Sequence, residues 1–123
     1  MNLSTAILIK DNHITVMGGI TQAVERVREH SQLPVEVEVK NVAEIKEAVG
    51  LKVQRILLDN MNNELLKEAM SIIPKEIETE ASGNMTLPRI KSVAETGVSF
   101  ISVGALTHSA PVADVSLLFD WNA

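Results

Sequence analysis

Short β-branched runs recur along this chain at intervals of roughly 20 to 28 residues, each followed by a stretch of helical period. That alternation restricts the fold more than any other feature. The runs are Ile7-Leu8-Ile9, Val35-Glu36-Val37-Glu38-Val39, Arg55-Ile56-Leu57-Leu58, Glu76-Ile77-Glu78-Thr79-Glu80 and Ser99-Phe100-Ile101-Ser102-Val103. Spacings of this length suit right-handed crossovers between parallel strands.

The intervening segments read as amphipathic helices. Ile20, Ala23, Val24 and Val27 fall at the i, i+3, i+4, i+7 positions of one face. Asn41 and Glu44 form a capping-box pattern ahead of a stripe of Val42, Ile45 and Val49, and Gly50 stands where a C-terminal cap belongs. A third helix carries Leu65, Leu66, Ala69 and Ile72 or Ile73 inward. A fourth starts at Thr86 with Pro88 in its first turn, turns Leu87, Ile90 and Ala94 to the core, and stops at Gly97. A short last helix is expected over Ala113–Leu118.

Five β-α units with a parallel sheet follow, in one α/β domain spanning residues 1–123. Two architectures accommodate them: part of a TIM-like barrel, or a flavodoxin-like doubly wound sheet. A complete barrel takes about 250 residues, so 123 residues supply an arc of one. Phe100, Phe119 and Trp121 are the sole aromatics, which leaves an aliphatic core. A net charge of −5 excludes an extended nucleic-acid footprint. The absence of cysteine excludes disulfides and thiolate metal centres. No apolar run approaches the roughly 20 residues of a membrane span, and no signal-peptide pattern opens the sequence. The expectation is a soluble cytoplasmic domain.

Both architectures place ligands at the carboxyl ends of the strands. Those ends read Lys10-Asp11-Asn12-His13, Glu36 with Glu38, Asp59-Asn60, Glu80-Ala81-Ser82-Gly83-Asn84 and Gly104-Ala105-Leu106-Thr107-His108. Glu36 and Glu38 share a face of a Val-rich strand. Either that strand is an edge with its glutamates in water, or the carboxylates are buried and need a cation, a ligand or a proton. Asp59 ends an apolar run and suits a helix cap, or, beside Glu38, a Mg²⁺ ion or ribose hydroxyls. Lys10 is a solvated lysine or a positive anchor for phosphate. Ser82-Gly83-Asn84 and Gly104-Ala105 precede helices or turns with free backbone amides, a pattern that cradles phosphate. The three histidines lack metal-ligand spacing; His30 is expected at an exposed helix end, and His108 lies within reach of the second glycine loop.

These motifs, in order, resemble the quinolinate phosphoribosyltransferase family: Ile7–His13, Val35–Val39, Leu57-Leu58-Asp59-Asn60-Met61, Glu80–Asn84, and the block Ala94-Glu95-Thr96-Gly97-Val98 through Ile101–Ser109. The resemblance implies formation of nicotinate mononucleotide, pyrophosphate and CO₂ from quinolinate and phosphoribosyl pyrophosphate, with Mg²⁺. It implies that Lys10 contacts substrate and phosphate groups and that Glu38 and Asp59 lie near the ribose hydroxyls and the metal, possible Mg²⁺ ligands directly or through water. Ser82, Gly83, Asn84, Gly104, Ala105 and Leu106, with His108, would hold the 5′-phosphate. The family's N-terminal sandwich domain, first barrel strands and basic pocket, which includes the arginine of an Asn-His-Arg motif, have no counterpart in these residues. Arg26, Arg28 and Arg55 sit at helix or strand-start positions unsuited to that pocket. Activity is therefore expected to need a complementing N-terminal chain, and open strand edges point to a homo-oligomer. The alternatives are an inactive phosphate-sugar binding module and a partial barrel without activity of its own.

Overall fold

In a computed structural model, which describes residues 6–102 and the backbone of 112–114, six strands form one parallel sheet. They are β1 (Ala6–Ile9), β2 (Val35–Val39), β3 (Arg55–Asp59), β4 (Glu78–Ser82), β5 (Phe100–Ile101) and β6 (Val112–Asp114). The helices are α1 (Asp11–Met17), α2 (Ile20–His30), α3 (Val42–Gly50), α4 (Asn63–Ile72) and α5 (Leu87–Ala94).

Strand order decides between the two expected architectures. It runs β5-β4-β3-β2-β1-β6, so the first five strands lie beside their sequence neighbours. A doubly wound sheet reverses direction at a switch point, and none occurs in that run. Right-handed crossovers between successive strands from β1 to β5 put their helices on a single face; α2 packs on α3, α3 on α4 and α4 on α5. This is an arc of an α/β barrel, and the flavodoxin-like alternative is excluded.

The two faces differ in chemistry as alternation demands. Ile7, Ile9, Val35, Val37, Val39, Ile56, Leu58 and Ala81 point at the helices and join Val24, Val27, Ile45, Ala48, Leu66, Ala69 and Val93 in one aliphatic core. The opposite face carries Leu8, Glu36, Glu38, Arg55, Leu57, Asp59, Glu78 and Glu80 by register. No helix among the described residues is long and apolar enough to cross a membrane.

Several local expectations change. The strand expected over Glu76–Glu80 is shifted to Glu78–Ser82, because Pro74 and the turn closing on it through Ile77 N–H hold the earlier residues out of the sheet. Asp11–Met17 is a helix, not an extended strand end. Gly50 closes α3 without capping it; Lys52, at φ 55°, takes the left-handed conformation instead. In α5, Val93 is buried, whereas Leu87, 84% exposed, and Ala94, also exposed, do not face the core as expected. Ala113 and Asp114, expected in a helix, lie in β6 paired with β1; the rest of that segment is outside the described residues.

Candidate functional site

The carboxyl ends of β1–β4 bring most of the sequence-picked residues onto one rim. Glu38 pairs in register with Leu57, two residues before Asp59. The two carboxylates therefore sit on adjacent strands and on the same face, one residue pair apart along the sheet. Lys10 continues the alternation of β1 to that face and is exposed. Asp59 pairs with Ser82 across β3 and β4.

Each carboxylate is oriented by a donor. Lys10 caps α1 without a side-chain bond, so the first helical N–H looks elsewhere: Asp11 N–H donates to Glu38 Oε1 at 3.0 Å. The otherwise open first N–H of the helix thereby gains an acceptor. Ser82 Oγ donates to Asp59 Oδ1 at 2.7 Å. The second oxygen of Glu38 and of Asp59 takes no donor among the described residues. His30 is exposed at the end of α2, as expected.

The Ser82-Gly83-Asn84 turn lies against the Asp59-Asn60 turn. Asn60 N–H donates to Ser82 O at 2.9 Å, and Asn60 itself adopts φ 55°. Gly83, at φ 114°, leaves no room for a side chain: a Cβ would come 3.0 Å from Asn60 Cα. The N–H groups of Gly83, Asn84 and Met85 have no acceptor among the described residues, and Thr86 caps α5 without a side-chain bond. Open amides at a helix N-terminus suit an anion. Gly83→Ala should cost about 1–3 kcal/mol, from the strained φ and the forced contact. Chemical denaturation would measure it; a loss below a few tenths of a kcal/mol would mean the turn relaxes freely.

Gly104, Ala105, Leu106 and His108 lie outside the described residues. Three basic residues that the sequence did not single out for the site are prominent in the structure: Lys40 and Arg89, and Arg55, which was set aside as a strand-start residue. Lys40 Nζ lies 2.5 Å from Asp11 Oδ2 on the rim, and that hydrogen bond raises the lysine's pKa. Arg89 reaches back from α5 to the rim loops. Arg55 sits at the start of β3, out of the rim as expected, yet 1% exposed within the polar face. Its guanidinium contacts Glu36, Glu78 and Glu80 at 3.5, 2.9 and 3.7 Å. Glu36 is thus interior, not an edge residue, and its neighbour Glu38 is only half-buried.

A parallel sheet with helices packed along one face, and with Lys10, Glu38, Asp59 and Ser82 at the strand carboxyl ends, defines an α/β-barrel protein with a candidate site on that rim. Comparison narrows the class. The sequence model described as "Quinolinate phosphoribosyl transferase, C-terminal domain" matches residues 1–118, and the chain belongs to that family. The chloroplastic nicotinate-nucleotide pyrophosphorylase [carboxylating] of Oryza sativa is 41% identical over 140 residues, covering 98% of this chain and 38% of the relative. A probable nicotinate-nucleotide pyrophosphorylase of Synechocystis is 39% identical, covering 95% of this chain and 41% of the relative. The crystal structure of nicotinate-nucleotide pyrophosphorylase from Ehrlichia chaffeensis superposes with a TM-score of 0.79 at 36% identity, over 84% of this chain and 38% of that one. The Francisella tularensis structure gives 0.75 at 42% identity, over 85% of this chain and 38% of that one. The chain thus spans about two fifths of the length of the relatives it matches.

Proposed function

We propose that this chain supplies the ribose-phosphate half of a quinolinate phosphoribosyltransferase site, in an enzyme that converts quinolinate and phosphoribosyl pyrophosphate into nicotinate mononucleotide, pyrophosphate and CO₂. The observation that carries this reading is the joined rim: two carboxylates on adjacent strands, one of them hydrogen-bonded to the turn that presents open amides. Phosphoribosyl transfer develops positive charge on the sugar ring. Glu38 and Asp59, each fixed through one oxygen, keep the other for ribose hydroxyls and for that charge, with little reorganisation. Gly83 and Asn84 hold the 5′-phosphate together with the Gly104-Ala105-Leu106 loop and His108. Lys10 anchors the opposite side.

The donor set bears on magnesium. Among the described residues no three acidic or histidine side chains converge on a metal position. Glu38 and Asp59 instead fit a Mg²⁺ that keeps several waters and takes its remaining ligands from substrate phosphates. Such an ion would neutralise the departing pyrophosphate. The base pocket and a second chain, either a complementing N-terminal portion or another copy, belong to the same reading, as does a cytoplasmic setting.

The test combines the chain with one carrying the family's N-terminal portion and follows nicotinate mononucleotide formation. Asp59→Asn should lower turnover about 100-fold, and calorimetry on the isolated chain should detect phosphoribosyl pyrophosphate. Full turnover by Asp59→Asn would remove the carboxylate role. Failure to bind phosphoribosyl pyrophosphate in either format would remove the reading as a whole.

A further inference from the structure

Arg89 is the third residue of α5, within its first turn. A cation there opposes the positive end of the helix dipole, so the position is unfavourable for an arginine with no other task. Its guanidinium is not spent on a carboxylate among the described residues. Nη1 donates to Asn84 O at 3.3 Å and Nη2 donates to Met61 O. The two carbonyls belong to different loops, one after β4 and one after β3. The remaining contacts between those loops are Asn60 N–H to Ser82 O, Ser82 Oγ to Asp59 and the approach of Gly83 to Asn60. Arg89 is half-buried, and one of its two carbonyl partners belongs to Asn84, a residue whose own N–H is open.

Arg28 offers an internal contrast. It also clasps two carbonyls, Leu51 O at 2.7 Å and Lys52 O at 3.1 Å. Those carbonyls lie at the C-terminal end of α3, where the dipole welcomes positive charge, so a structural role accounts for Arg28 completely. The same fork at a helix N-terminus lacks that account. An anion bound at the amides would supply it, because the charge of Arg89 would then face a partner instead of a repelling dipole.

We propose that Arg89 is the positioning residue of this rim, clasping the loops after β3 and β4 into one unit and lending its charge to a phosphate group held by Gly83 and Asn84. The inference rests on the phosphate role of that turn. The clasp adds a second link between the loop of Asp59 and the anion site, beside the Ser82–Asp59 hydrogen bond. A lysine could supply the charge but not the planar fork that reaches two carbonyls at once.

The experiment uses the full chain, with inorganic phosphate as the probe, followed through the amide resonances of Gly83 and Asn84. In Arg89→Met, phosphate affinity should fall about tenfold, and its dependence on ionic strength should flatten. Without ligand, amide hydrogen exchange should quicken together at residues 60–62 and 83–85. Arg89→Lys should regain the salt dependence but not the exchange protection, and Arg28→Met should leave phosphate affinity within twofold of the parent. Unchanged exchange in both Arg89 variants would overturn the clasp. Phosphate affinity within twofold of the parent in Arg89→Met would overturn the charge role. If the parent's Gly83 and Asn84 resonances do not respond to phosphate, the anion site itself is wrong, while the exchange data still decide the clasp.

Discussion

Replacing Arg55 with methionine should destabilise the chain by about 3–5 kcal/mol at neutral pH, the cost of leaving buried carboxylates without their cation. The interior of a barrel is normally filled by branched aliphatic side chains. Here the side chains of Arg55 and Glu36 are each 2% exposed, and Glu78 and Glu80 complete the cluster at 2.9 and 3.7 Å from the guanidinium. The Phe100 ring covers Arg55 at 4.5 Å, a cation–π contact that further excludes water. Three acidic side chains surround one cation; burial keeps Glu36 protonated at neutral pH, so removing Arg55 leaves Glu78 and Glu80 without their positive partner. The loss should appear as a fall of roughly 10–20 °C in melting temperature for a domain of this size. Replacing Glu36 with methionine as well should recover part of the stability, because an apolar pair suits this interior better than an unpaired buried carboxyl group. A single Arg55→Met variant within 1 kcal/mol of the parent would show that water reaches the cluster.

The same cluster makes stability depend on pH in an unusual direction. Burial pushes the Glu36 carboxyl up to about 8 from 4.5, with Glu80 adding to the rise through a hydrogen bond and its charge, and Arg55 only partly opposing it. Glu36 Oε1 has no hydrogen bond although it lies 3.5 Å from Arg55 Nη1. Below pH 4.5 the group is protonated in folded and unfolded chains alike. Between 4.5 and about 8 the folded chain keeps a proton that the unfolded chain releases. Stability therefore falls as pH rises through that window, and above it the loss is complete. The span amounts to about 3–5 kcal/mol. Denaturant midpoints at pH 5, 7 and 9 should decline in the parent chain, and Glu36→Gln, which cannot titrate, should flatten the decline. Parallel pH profiles for the two proteins would assign the dependence to other groups.

The candidate site was legible where it rests on local pattern. Asn41 caps α3 as its spacing with Glu44 required, with the Glu44 N–H donating to Asn41 Oδ1 at 2.9 Å. Ile20, Ala23, Val24 and Val27 form the buried face of α2. The motif residues Lys10, Glu38, Asp59 and Ser82 reach one rim because strand ends are set by the same alternation that marks the strands. The helix over Asp11–Met17 was not legible, since its first N–H is satisfied from another strand by Glu38. A helix whose cap comes from 27 residues away leaves no cap signal in its own sequence. Arg89 did leave one, an arginine in the first turn of a predicted helix.

By itself the sequence determined the α/β class, the periodic strands and helices, the aliphatic core and the family to which the rim motifs belong. These follow from spacings of two to four residues and from short motifs, which a chain carries wherever it goes. Tertiary structure alone decided the order of strands, and with it the barrel arc over the doubly wound sheet, because pairing between distant strands has no local signature. It also decided that Glu36 and Arg55 are interior while Leu87 is not. A charged residue reads the same in water and in a core; only the neighbours that strand register brings to it show which environment it has.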